Sequence, residues 1–141
     1  MEFFMKHLIL LALVFILAPL IDYLWLNKIM SGFYLSELGT LARAKDGEFN
    51  PKLGPAMIVY VCIAVGIVYF VLPKITSDTL MQAALWGAVF GFVLYGLYDM
   101  TNLALVQNWP IKMSFVDMAW GTFLCSFCTI VAKFVELKLN S

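Results

Sequence analysis

Apolar residues run along this chain in four blocks separated by short polar stretches. The blocks cover residues 8–26, 56–72, 80–106 and 115–134. Crossing the hydrocarbon of a bilayer takes about 20 mostly apolar residues, each rising about 1.5 Å. Each block approaches or exceeds that length, so the pattern predicts four transmembrane helices. The connections at residues 73–79 and 107–114 are short, which makes consecutive helices antiparallel neighbours in an up-down-up-down bundle. The connection at residues 27–55 is longer. Within it Leu35, Leu38, Leu41 and Ala42 recur at helical spacing behind Phe33-Tyr34. That spacing predicts a short interfacial helix over residues 33–43, lying across one end of the bundle. Asp46-Gly47 and Asn50-Pro51 mark turns, and Trp109-Pro110 is an interfacial breaker before the last helix. The expected fold is all-α, an integral membrane domain over residues 1–141 with both termini on the same side.

Composition agrees with that reading. Of 141 residues, 63% are hydrophobic and 13% charged, and mean hydropathy is +0.92. A soluble domain carries about 45–50% apolar and about 25% charged residues. The values exclude a disordered chain, a secreted disulfide scaffold and a typical soluble enzyme. Nine Lys/Arg balance nine Asp/Glu, so no basic excess exists to hold nucleic acid. Residues 8–26 also resemble a signal peptide behind Lys6. No A-x-A-like site follows, and the apolar run continues into Asp22-Tyr23-Leu24-Trp25-Leu26, so a retained span is expected. Lys6, Lys74, Lys133 and Lys138 fall on one side, and Lys28, Arg43, Lys45, Lys52 and Lys112 on the other. That near-balance does not fix orientation.

Three acids interrupt the apolar blocks: Asp22, Asp99 and Asp117. A carboxylate there is costly unless it is paired, protonated or facing a wet cavity. The topology puts all three towards the same membrane face, the one carrying the long loop, about 5–10 Å below its rim. Their neighbours repeat a pattern. Asp22 and Trp25 form D-x-x-W, as do Asp117 and Trp120, while Asp99 precedes Asn102 by three and follows Tyr95 by four. Such pairs share a helix face. Converging faces would build a polar pocket with Asp99 and Asn102 at its centre and Trp25, Tyr95 and Trp120 as walls. The simpler reading is an interhelical hydrogen-bond cluster, and an acid in the first turn of a helix also complements its dipole. Three carboxylates suggest a divalent cation only weakly, because no histidine accompanies them: His7 lies near the other face. Arg43, Lys45 or Lys52 in the loop are the expected partners of the acids.

Other motifs carry less. Cys125 and Cys128 form C-x-x-C within the fourth span, where small-residue packing is the expected role. Gly87-x-x-x-Gly91 predicts close helix contact inside the bundle, with a dimer face as the alternative. Pro19 is expected to kink the first helix one turn before Asp22. No P-loop, dinucleotide fingerprint, zinc-protease motif or nucleophile elbow occurs.

Asp22-Tyr23-Leu24-Trp25, then Gly87-x3-Gly91-x3-Tyr95-x2-Tyr98-Asp99-x-Thr101-Asn102, Trp109-Pro110 and Asp117-x2-Trp120-Gly121, together resemble the family of membrane proteins labelled domain of unknown function 2177. The resemblance covers nearly the whole chain. It implies a compact four-span protein of the bacterial inner membrane, brings no biochemical function, and supports treating Asp99, Asn102, Asp117 and Trp120 as one unit.

The leading expectation is therefore a pocket that binds, and in an enzyme would transform, an amphipathic or lipid-derived molecule. Asp99, Asp117 and Asp22 are its acid–base candidates, and Trp25, Tyr95, Asn102 and Trp120 its binding candidates. The alternatives are a proton- or cation-coupled small transporter, acting as a homo-oligomer, and a structural membrane subunit. The sequence names no cofactor.

Overall fold

A computed structural model describes residues 2–77 and 79–140. Helix α1 (Glu2–Tyr23) runs through Pro19 without ending and widens into a π-type turn over Leu24–Ile29. Helix α2 (Ser31–Leu38) follows, then a tight 3₁₀ turn at Gly39–Leu41. A two-residue ribbon pairs β1 (Ala44–Lys45) with β2 (Glu48–Phe49). Helix α3 (Leu53–Val65) passes into wide and then tight turns as far as Lys74. Helices α4 (Leu80–Leu105) and α5 (Ile111–Leu139) complete the fold. Four segments are long and apolar enough to cross a membrane: Phe4–Ile29, Leu53–Lys74, Leu80–Leu105 and Ile111–Leu139.

Cross-helix partners show the antiparallel order. Lys6 meets Glu136 and Asp22 meets Trp120, so α1 and α5 run in opposite directions. His7 stacks on Tyr69 while Asp22 meets Tyr60, so α1 and α3 do the same. Helix α4 packs on α5 along most of its length.

The interior mixes aliphatic side chains such as Leu10, Ile63, Ile67 and Leu124 with small ones at the α4–α5 contact, and many large side chains face outward. Phe92, Val93 and Leu97 on α4 and Phe70 beyond α3 are exposed, which suits lipid. Each helix buries a stripe of period near four. On α1 the stripe is Leu10, Val14, Ala18 and Asp22. On α4 it is Ala83, Gly87, Gly91 and Asp99, with half-buried Tyr95 filling the fourth step. A Cβ on Gly87 would lie 2.6 Å from Thr129 Oγ1 and 2.7 Å from the Cys125 carbonyl oxygen, and one on Gly91 would strike the Gly121 carbonyl. The G-x-x-x-G face is thus occupied by α5 within one chain, which displaces the dimer-face alternative. Cys125 and Cys128 are free, buried thiols in this contact zone.

The loop helix is shorter than the leucine spacing predicts. Gly39, at φ +51°, leaves the helical region, so α2 stops at Leu38. Asp46 and Gly47 both take positive φ, 53° and 80°, the backbone of a two-residue hairpin turn. The end of the expected helix becomes the 3₁₀ turn, and the turn signal after it becomes a ribbon, tied to the π-type turn after α1 by Lys28–Glu48 at 3.3 Å. The opposite end of the bundle holds Lys133, almost wholly buried, on Glu136 at 3.0 Å, with Lys6 on the same carboxylate at 3.4 Å.

Candidate functional site: a buried acid cluster

The buried stripes of α1 and α4 end on Asp22 and Asp99, and α5 brings Asp117 to the same level. Asp22 is 7% exposed and Asp99 fully buried. The donors around Asp22 are well placed. Trp120 Nε1 donates to its Oδ1 at 2.7 Å, and Tyr60 Oη to its Oδ2 at 2.9 Å. Asp117 Oδ1 accepts the Tyr34 hydroxyl at 2.8 Å, and that hydroxyl accepts Trp25 Nε1 at 3.1 Å. The two indoles stack face to face, 4.2 Å between centroids and 2° from parallel. The D-x-x-W motifs therefore exchange partners. Trp120, from the motif of Asp117, serves Asp22, and Trp25, from the motif of Asp22, serves Asp117 through Tyr34.

Asp99 differs. Neither of its oxygens meets a donor among the described residues. Its neighbour is the carboxyl of Asp117. Two acceptors side by side repel, and a bridging proton turns that contact into a hydrogen bond.

Tyr34 comes from α2, outside the spans, and is 3% exposed. Burial, and next the charge of Asp117, push its hydroxyl well above the ordinary tyrosine value, so it stays a neutral donor. The expected loop bases do not take this place: Arg43, Lys45 and Lys52 are exposed, and no ion pair among the described residues reaches the three acids. Lys112 sits 5.6 Å from the Phe33 ring centroid, pinning the other side of α2.

Of the binding candidates, Trp25 and Trp120 join the cluster directly. Tyr95 packs against Gly121, where a Cβ would strike its ring. Asn102 does not pair with Asp99. Its amide donates to the Tyr98 carbonyl of its own helix at 3.0 Å, a local side-chain-to-backbone bond four residues back. Among the described residues no three acids, histidines or cysteines gather as a metal site, and Asp22 has both oxygens occupied by uncharged donors. Tyr34, Tyr60 and Tyr98 are the members that residue spacing did not single out as site residues.

Beside the cluster lies a cleft of about 370 Å³ between α3 and the α4–α5 pair. Ile58, Val59, Cys62 and Ile63 form one wall, Leu94, Tyr95 and Tyr98 the other, and Asp117 is its one acid. Ile58, Val59 and Tyr98 are also exposed on the outer surface of the bundle.

Four apolar spans over a cluster of buried acids define a polytopic helical membrane protein. The chain belongs to the family described as Predicted membrane protein (DUF2177), whose model matches residues 6–134. No curated protein and no solved structure matches it.

Proposed function

We propose that the protein binds an amphipathic, lipid-derived molecule, with its chain in the cleft between α3 and the α4–α5 pair and its polar head at Asp117. The observation that carries this reading is the cleft itself: apolar walls, one carboxylate, and a flank of residues exposed where lipid would lie. Its volume falls in the range of small-molecule sites, roughly 300–1,000 Å³. An acid–base step on the bound head is the chemistry that Asp99 and Asp117 together support. Below the acids, Val14, Leu124 and Cys125 are fully buried, which favours a blind site over a path through the bundle. Four spans, and the Lys6 contacts with Glu136 and Asn140, support placing both chain ends on one side of the membrane.

Native mass spectrometry of the protein released from mild detergent tests the reading. Retained amphipathic adducts are expected, and Cys62→Trp, which fills the cleft from its exposed wall, should remove them. Absence of any adduct, or equal retention by the Cys62→Trp protein, overturns it.

A further inference from the structure

We propose that the cleft selects a cationic head, an alkylammonium group held between the Asp117 carboxylate and the rings of Tyr95 and Tyr98. The inference rests on the binding reading above and gives it a substrate class.

Charge is the first argument. Among the described residues, Asp117 is the one acid that lines the cleft, Asp99 and Asp22 lie near it, and no base lines it. An anionic head, a phosphate or a carboxylate, would enter against this field. A cation would enter with it. The second argument is the surface around the acid. Tyr95 and Tyr98 line the cleft together with Asp117, and aromatic rings attract organic ammonium ions.

Asp99 bears on the charge as well. It is fully buried, it adjoins Asp117, and its two oxygens find no donor among the described residues. A proton shared by Asp99 and Asp117 would leave the pair with a single net negative charge. Tyr34 holds Asp117 Oδ1 from the other side. Asp117 is thereby fixed by neutral donors on the protein side, and its net charge is left for a ligand. The groups facing the pair are Tyr34 from α2, Tyr98 and Tyr95 from α4, and Asp22 from α1, none of them a cation. Asp99 is a positioning residue in this scheme, and Asp117 makes the contact.

Two sources supply such a head: an aminophospholipid, or a free single-chain amine. The protein in dodecyl maltoside, titrated with dodecylamine, dodecanol, dodecyl phosphate and phosphatidylethanolamine and read by native mass spectrometry, separates them. Dodecylamine should be retained at one per chain, about tenfold better than dodecanol or dodecyl phosphate, in line with a charge-assisted contact beside aromatic rings. Preference for phosphatidylethanolamine over dodecylamine assigns the source to the lipid headgroup, and the reverse to a free amine. This series needs no variant. Asp117→Asn should lose about that same factor, while Asp99→Asn, whose amide still donates to Asp117, should keep amine binding within about threefold. Asp46→Asn in the exposed hairpin should change nothing. Equal retention of dodecylamine and dodecanol, both abolished by Cys62→Trp, keeps the cleft and overturns the cationic head. Amine retention that survives Cys62→Trp overturns both.

Discussion

Trp25 and Trp120 stack with their rings 2° from parallel, yet each sends its N–H to the acid network of the other's motif. The stack joins α1 to α5 at the depth where the carboxyls are buried. It therefore does two things at once. It packs two aromatic rings against each other beside the acids, and it delivers one donor to Asp22 directly and one to Asp117 through Tyr34. An unpartnered carboxylate at this depth would cost several kcal/mol.

Trp120→Phe separates those two roles. The ring stack survives and the donor to Asp22 Oδ1 is lost. A loss of about 1–2 kcal/mol is expected, since interhelical hydrogen bonds in membranes are modest. Reversible unfolding in mixed detergent micelles measures it. Asp22→Asn in the Trp120→Phe background should cost less than in the native protein, because the amide no longer replaces an acceptor that is in use.

Close approach of α4 and α5 makes a second prediction. A Cβ on Gly91 would strike the Gly121 carbonyl, which is backbone and cannot turn aside. Gly91→Ala should cost about 1–3 kcal/mol. Gly96→Ala meets only the terminal methyl of Met118 at 3.2 Å and should stay within about 0.5 kcal/mol. Equal effects at the two positions would contradict the packing.

Alkaline pH gives a third. Tyr34 sits above the ordinary tyrosine value of 10.0 in the folded protein, owing first to burial and then to Asp117. Below about pH 10 both states keep the proton and its stabilising contribution is complete. Above that, the unfolded chain ionises first, so stability falls as pH rises. Tyr34→Phe should flatten that fall while lowering stability at neutral pH by about 1 kcal/mol, through the lost bond to Asp117. Unfolding curves at pH 8 to 11 compare the two proteins.

Tyr34→Phe should also loosen the cover. Amide exchange across α2 and the ribbon is expected to speed up in nanodiscs, because Tyr34 is the buried anchor of α2. Ser36→Ala, which loses only an exposed bond to the Phe33 carbonyl, should leave exchange unchanged. Equal exchange in the two variants would show that Lys112 on Phe33, rather than the hydroxyl, holds the helix.

Topology provides a last check. Reporter fusions at the two ends of the chain are expected to report the same compartment, as four spans and the Lys6–Glu136 contact support. Opposite compartments would undo the common level assigned to the acids.

Much of this was written in the residues. Four spans follow from apolar length alone, and the structure places them at Phe4–Ile29, Leu53–Lys74, Leu80–Leu105 and Ile111–Leu139. The common level of Asp22, Asp99 and Asp117 follows from antiparallel order. What spacing along one helix cannot supply is the partner on another. Asn102 shares a side of α4 with Asp99 to within a turn, but its nearest acceptor is the backbone of its own helix. Tyr60 is one aromatic among the apolar residues of α3, and only the approach of α1 makes its hydroxyl matter. Tyr34 was legible as a hydrophobic position of the cover, not as a donor. The positive φ of Gly39 shortened α2 where the leucine spacing had no means of showing it.

The glycine contact between α4 and α5 has a mechanical meaning. Backbone rests on backbone at Gly91 and Gly121, and Gly87 lies against Cys125 and Ser126, so the two helices form one stiff jaw. The other jaw is α3, whose larger packing partner is α1 rather than that pair. Opening or narrowing the cleft is then a tilt of α3, with α1 packed on it, against the stiff pair, and tilting spans respond to the thickness of the bilayer around them.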